Sequence, residues 1–443
     1  FPKSQKRQLP MNPLPKPNLP RQQARQLMTR TMQTPAAFGL LVFTLLMGGC
    51  SWFSWIPGIE DDSSKKKESD KPAKLVKFDA EVQLRRQWQV KVGQGLGKKY
   101  LRFRPVIVAD RIFAADGYGS VFAIDRFNGD VAWRTQFDKV EEGGFNPLGF
   151  MDRRDPSFVT GALGAGEGLL AIGTSRGEVV ALSVADGSEV WRSVVGAEVG
   201  APPTVGRSMV FVHSIDGRIT ALRSDDGSVA WTYDNPVPLL TLRGTAAPVY
   251  SQDVVYVGFA SGKITALRAE NGEPLWEQRI MLPEGRSELE RIVDVDASPL
   301  VLGSTIYAVA YQGRVLGLAR RDGRPLWEQE LSSYLDLTVG YGQIYAVGSD
   351  DSVTAVDQET GEVSWTQDIF KRRGMSTPLA FSNYVAVGDS EGYLHLLAQR
   401  DGRMVGRTRV DSKGINAKMI VADGTLYVLN NTGRLAAYKV NLD

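Results

Sequence analysis

Two histidines and one cysteine are the only imidazole and thiol side chains in this chain of 443 residues. His213 closes the run Phe211-Val212-His213, and His395 sits within Tyr393-Leu394-His395-Leu396. A lone histidine in an alternating apolar run packs in or beside a strand far more often than it holds a metal. No H-E-x-x-H or C-x-x-C pattern occurs, so the metallohydrolase and dithiol signatures are missing from the sequence. The many Asp-Gly pairs carry carboxylates, but without the clustered further oxygens that calcium needs. A formal net charge of +2 with no basic stripe argues against a nucleic-acid partner. No catalytic, metal or cofactor site is expected. The chemistry left is attachment and recognition.

Attachment centres on Cys50. Residues Ala36–Met47 form an apolar run of 12 with one threonine, preceded by Arg30 and followed by Gly48-Gly49-Cys50. Spanning a bilayer takes about 20 residues, so this run reads as the core of a secretory signal. Leu46-Met47-Gly48-Gly49-Cys50 resembles the bacterial lipobox, which implies a lipidated Cys50 as the mature N-terminus. Ser51 in the next position resembles lipoproteins released to the outer membrane. Residues 1–27 read as an upstream segment, 28–49 as the signal, 50–79 as the lipidated end and a tether, and 80–443 as the folded domain. The tether reading rests on Asp61-Asp62-Ser63-Ser64-Lys65-Lys66-Lys67, a composition too polar to order itself. Trp52, Phe53 and Trp55 beside the anchor suit a headgroup layer.

The elements behind any recognition surface come from repetition. The pattern G-x-[V/I/L]-x-A starts at Gly119, Gly177, Gly217, Gly262, Gly313, Gly392 and Gly433, with Asp351 replacing glycine once and Gly317 and Leu396 standing in for the alanine. The gaps run from 38 to 58 residues. Several short strands per period of this length are the mark of a propeller, because one four-stranded sheet cannot bury both faces alone. After each pattern a turn leads in four residues from glycine to tryptophan: Gly129 to Trp133, Gly187 to Trp191, Gly227 to Trp231, Gly272 to Trp276, Gly323 to Trp327 and Gly361 to Trp365. Gly402 leads instead to Gly406. The Asn-Gly and Asp-Gly dipeptides predict type I′ reversals. The eighth unit ends at Asp443, before its tryptophan position, while Leu84–Val90 near the front is an orphan strand carrying Trp88. An all-β ring of eight four-stranded antiparallel blades follows, with the front strand completing the last blade and removing its open edge.

Ala355-Val356-Asp357-Gln358-Glu359-Thr360-Gly361-Glu362-Val363-Ser364-Trp365 matches A-x-D-x-x-T-G-x-x-x-W, the tryptophan-docking repeat of the quinoprotein (PQQ-like) propellers. That likeness raises an alternative, a quinoprotein dehydrogenase-like or small-ligand-binding propeller. The adjacent cysteines and calcium loop of those enzymes have no counterpart in this sequence. A second likeness is more specific. Leu240-Thr241-Leu242-Arg243-Gly244 with Ala247-Pro248, Glu290 through Asp296 with Ser298-Pro299, and Val387 through His395 resemble the BamB family of outer-membrane lipoprotein propellers over roughly Gln83 to Tyr438. The resemblance implies a non-enzymatic scaffold at the periplasmic face of the outer membrane. It also implies binding to a POTRA domain of BamA and a role in inserting β-barrel proteins, nascent ones being possible clients.

Within that likeness two interblade connections carry the expected contact residues. Leu240 and Leu242 lie two apart, so on an extended chain they share a face, with Arg243 beside them. Asp294 and Asp296 share a face in the next connection. On spacing alone the leucines serve equally well as core and the acids as turn caps. The resemblance instead implies that Leu240, Leu242, Arg243, Asp294 and Asp296 form the BamA-binding surface. The insertion from Asp138 to Phe158, with Gly143-Gly144, Pro147 and Pro156, is expected to be an interblade loop, solvent-exposed or in contact with a partner.

Overall fold

The computed structural model describes residues 71–97, 103–138, 156–242, 245–281 and 292–442. Cys50 and its flanks, Arg243 and most of the 138–158 insertion lie outside the described residues. Within them, 32 strands make eight four-stranded antiparallel sheets. Blade 1 comprises Val106–Val108, Arg111–Ala115, Ser120–Asp125 and Val131–Gln136, ordered from the axis outward. Blades 2 to 7 begin with Val159–Gly166, Thr204–Gly206, Val249–Ser251, Leu300–Leu302, Thr338–Gly340 and Leu379–Phe381. The first strands of successive blades approach one another around the centre. The second and third strands are almost wholly buried, as in Val254–Phe259 and Ile344–Val347. Sheets stacked radially cover both faces of their neighbours, so these strands read as continuous apolar runs.

Blade 8 closes the ring as expected. It consists of Ile420–Ala422, Thr425–Leu429 and Arg434–Leu442, with Val82–Lys91 hydrogen-bonded outermost. The two end strands pair antiparallel from Val82 opposite Leu442 to Lys91 opposite Arg434, with a bulge between Arg86 and Trp88.

Seven tryptophans tie each blade to the next. The indole N–H of Trp88 donates to the Arg126 carbonyl in blade 1 at 3.1 Å, and that of Trp133 to Val184 in blade 2 at 3.2 Å. The series continues from Trp191 to Ser224, Trp231 to Ala269, Trp276 to Arg320, Trp327 to Gln358 and Trp365 to Gln399. Within its own blade each ring, except that of Trp191, lies about 6 Å from an aromatic on the second strand, such as Tyr427, Phe211 or Tyr345. Three of those tyrosines reach the carbonyl that the tryptophan uses: Tyr427 to Arg126, Tyr307 to Gln358 and Tyr345 to Gln399.

The turns that receive these indoles differ from the expected two-residue I′ type. In blade 1 the Asp125 amide bonds to the Asp130 carbonyl and the Gly129 amide returns to the Asp125 carbonyl, enclosing four residues. All seven such turns close in this way, and only the glycine has positive φ, between 71° and 82°. The side chain of Asp125 caps the Phe127 and Asn128 amides, so the asparagine before the glycine has no need of a left-handed backbone. A β-carbon at Gly129 would also lie 2.8 Å from the Trp88 ring. Glycine is therefore required twice, by the turn and by the docked indole.

Blade 7 breaks the series because Gly406 stands where the tryptophan belongs. The turn it would cover in blade 8 does not exist, since the two chain ends meet there. A β-carbon at Gly406 would meet the Val82 carbonyl oxygen at 3.0 Å. Residues 71–81 bridge this seam. They run along the outside of blade 7: the Ala73 amide donates to Lys371, the Arg407 guanidinium to the Val76 carbonyl, and the Glu81 amide to Val405. Arg407 also lies 5.1 Å from the Phe78 ring centre, and Glu81 takes a two-pronged ion pair from Arg403. Behind this strap is a buried network. Arg373 donates to the Ala73 carbonyl and to Asp389, and His395 shares the same Asp389 oxygen at 2.9 Å. Residues 71–79, expected to belong to a tether, are thus packed and hydrogen-bonded.

Candidate partner-binding site

The candidate residues lie on the rim that carries the connections between blades. From blade 3 the chain leaves Val229–Asp234, passes Asn235-Pro236-Val237-Pro238 and bends at Leu239-Leu240. The Asn235 amide is held by the Gly217 carbonyl, and its side-chain oxygen accepts from Ser261 in blade 4. Two prolines and this clasp push the following residues outward. Leu239 is 99% exposed, Leu240 45% and Leu242 38%. The three leucines form an exposed apolar trio on a bend.

The acids behave differently from the expected surface pair. Asp294 is fully buried and Asp296 only 3% exposed. One oxygen of Asp294 accepts the Leu242 amide at 2.5 Å, which joins the connection before blade 4 to the one before blade 5. Its other oxygen has no partner among the described residues. Burial, and next the charge of Asp296, push the Asp294 carboxyl up to about 7, against the Leu242 bond that favours ionisation. The two loops meet as their consecutive positions implied, but through a backbone amide and a buried carboxylate. Asp294 fixes the position of the leucines and is itself covered.

Under the loop is a cavity of about 80 Å³ lined by His213, Thr241, Thr245 and Asp296 among others. His213 is buried, its Nδ1 lies 2.9 Å from the Ala246 carbonyl, and burial lowers its pKa to about 4. A neutral ring donating from Nδ1 locks the start of blade 4; it has the packed role the sequence suggested. His395 is likewise buried, and burial lowers its pKa. Burial alone would raise the Asp389 carboxyl beside it. Bonds from His395, the Tyr393 amide and Arg373 outweigh that and hold it below its ordinary value. Both histidines stabilise loop geometry. Leu239, the most exposed large apolar side chain among the described residues, escaped the sequence reading because a period of two selects Leu240 and Leu242. The double proline before three leucines in four positions was the available signal.

A family model described as outer membrane protein assembly factor BamB matches residues 75–148, 151–367 and 349–441. The BamB of Pseudomonas aeruginosa is 40% identical over 401 residues, covering 90% of this chain and 98% of that protein. The Escherichia coli BamB is 32% identical over 395 residues, covering 89% and 96%. Among solved structures, BamB from Moraxella catarrhalis superposes with a TM-score of 0.70 at 27% identity, covering 80% of this chain and 99% of that one. A quinohemoprotein alcohol dehydrogenase from Comamonas testosteroni shares the fold alone, with a TM-score of 0.62 at 13% identity. An eight-bladed ring of docked tryptophans, matched almost end to end by these relatives, places this chain in the BamB family of outer membrane protein assembly factors.

Proposed function

We propose that this protein is a non-enzymatic scaffold of the outer-membrane assembly machinery, lipid-anchored through Cys50 at the periplasmic face. Its partner is a POTRA domain of BamA, and its service is to assist folding and insertion of β-barrel proteins. The observation that carries the reading is the exposed Leu239-Leu240-Leu242 bend, braced from behind by the Asp294 carboxylate. Apolar anchors on a preorganised backbone lose little entropy on binding. Arg243, next in sequence, supplies a charge to the same contact. The membership shown by the relatives named as assembly factors supports the same reading.

The test is binding of the full chain to the isolated BamA POTRA region, measured beside the melting temperature. Leu240→Glu and Arg243→Glu should each weaken binding, the latter on the order of thirtyfold or more if the contact is desolvated. Melting should move little, since substitutions at exposed positions usually stay within about 0.5 kcal/mol. Normal binding by both folded variants would refute the assignment.

A further inference from the structure

In every blade the turn between the first and second strands and the turn between the third and fourth share one rim, opposite the connections that carry the leucine bend. On that rim a groove of about 660 Å³ opens between blades 4 and 5. Val254, Tyr256, Leu275 and Trp276 of blade 4 line one side, and Arg320 and Leu326 of blade 5 the other. Leu275 and Leu326 are exposed, and each stands directly before a docked tryptophan. In the other blades that position holds Gln87, Ala132, Val190, Ala230 or Ser364, so the leucine pair belongs to this cleft alone.

The repeat supplies its own comparison. Between blades 8 and 1, Trp88 docks on the Arg126 carbonyl, and the Arg126 guanidinium pairs with Asp423 at 2.7 Å. Asp423 opens the tight turn between Ala422 and Thr425. Between blades 4 and 5 the same places are taken by Trp276, Arg320 and Gln252, which opens the turn between Ser251 and Val254. Arg320 thus has an amide residue where its counterpart has a carboxylate. Its guanidinium is held by neutral oxygens instead. Nε donates to the Tyr256 hydroxyl at 3.0 Å, Nη1 to the Gly303 carbonyl at 3.2 Å, and Nη2 to the Ser251 carbonyl and hydroxyl at 2.9 Å. The acids flanking the groove in sequence are engaged elsewhere: Asp253 pairs with Arg207, Glu273 with Arg268, and Asp322 caps the Arg324 amide. Arg320 and its exposed neighbour Arg321, which also lines the groove, form no ion pair among the described residues.

We propose that this groove docks a short acidic segment of another polypeptide, one that carries apolar side chains among its carboxylates. The apolar side chains rest on Leu275, Leu326 and Trp276, and a carboxylate takes the place beside Arg320 and Arg321 that Asp423 holds beside Arg126. Gln252 and Ser304 line the groove with groups able to bond a peptide backbone. Tryptophan, tyrosine and arginine are the side chains that dominate binding hot spots. The groove is open rather than enclosed, so a bound chain can continue past both ends, which suits a peptide better than a small molecule. It lies on the rim opposite the leucine bend, so this inference does not rest on the function proposed above.

The experiment is fluorescence anisotropy with the full chain and a fluorescein-labelled peptide, Gly-Ser-Leu-Asp-Leu-Glu-Glu-Leu-Ser-Gly, beside a control with lysine in place of its acids. The acidic peptide should bind saturably, and the lysine control at least about tenfold more weakly. Leu326→Glu and Arg321→Glu should each weaken the acidic peptide about tenfold. Neither should move the melting temperature much, since both positions are exposed. Gln252→Asp is the decisive variant, because it installs the acid that blade 8 carries at Asp423. It should melt no lower than the parent and still weaken the acidic peptide about tenfold, the internal carboxylate now competing for Arg320. Lys439→Glu, the same change of charge on blade 8, should bind as the parent does. The proposal is overturned by no saturable binding, by equal binding of the two peptides, by full affinity in Gln252→Asp, or by an equal loss in Lys439→Glu. Displacement of the peptide by oleate at equal concentration would assign the groove to a lipid carboxylate and overturn it too. Dimerisation in sedimentation that Leu326→Glu abolishes would overturn it in favour of a second copy of this chain.

Discussion

Asp294 shows what a single carboxylate does when the chain covers it. It is the acid whose pKa is raised to about 7, by burial first and by Asp296 second. A folded-state pKa above the unfolded value near 4 means that the folded protein holds the proton longer. Between about pH 4 and 7 stability therefore falls as pH rises, and above 7 the full penalty is present, at most about 4 kcal/mol. Asp294→Asn keeps an oxygen to accept the Leu242 amide but cannot ionise. Melting curves from pH 5 to 8 should flatten for this variant, and partner binding should persist. Asp294→Ala removes the acceptor and should lose binding; if both variants bind alike, the brace is not what orders the loop. Asp296 is buried as well, so a charge swap of Arg243→Asp with Asp296→Arg would place a guanidinium in the interior and report on folding. The sequence showed which residues belong together here, yet could not show that the acids point inward. Burial at this point is set by contacts between connections that are 52 residues apart.

At the scale of elements, the repeat was legible because blades 1 to 6 each carry an alternating strand, a turn glycine with left-handed backbone and an indole that covers the turn of the next blade. At the other recurrent glycine, which opens the G-x-[V/I/L]-x-A pattern, Asp351 adopts φ of 67° where its sister positions carry glycine. The turn type was misread because the backbone bonds that close it involve the residue four before the glycine, outside the dipeptide that suggests a hairpin. Trp276→Ala should cost on the order of 3 kcal/mol, from lost packing and an orphaned Arg320 carbonyl, read by denaturant unfolding. The strap over blade 7 was hidden for a different reason. Its hold is through backbone carbonyls at Ala73 and Val76, which leave no pattern in side-chain types. Removing residues 71–79 should lower the melting temperature and raise amide exchange first in 82–91 and 434–442. Equal exchange in all blades would show that the strap does not guard the seam.

For the whole molecule, the ring depends on one strand borrowed from the front. Deleting Leu84–Val90 should abolish cooperative unfolding, because it opens an edge along Arg434–Leu442 and strips Trp88 from blade 1. Cys50→Ala should leave the protein unattached, which fractionation would detect; the same amount in the outer membrane would refute lipid anchoring at that residue. The pairing of Val82 with Leu442 also sets a schedule for biosynthesis. The first strand to emerge must wait for its partner, which lies some 350 residues later in the chain. For that interval an amphipathic strand with Trp88 and Val90 has an unsatisfied edge, while seven blades assemble beside it. The newborn chain therefore has a period of vulnerability that the finished ring does not share, and any helper that shields nascent chains would find its binding site at the front.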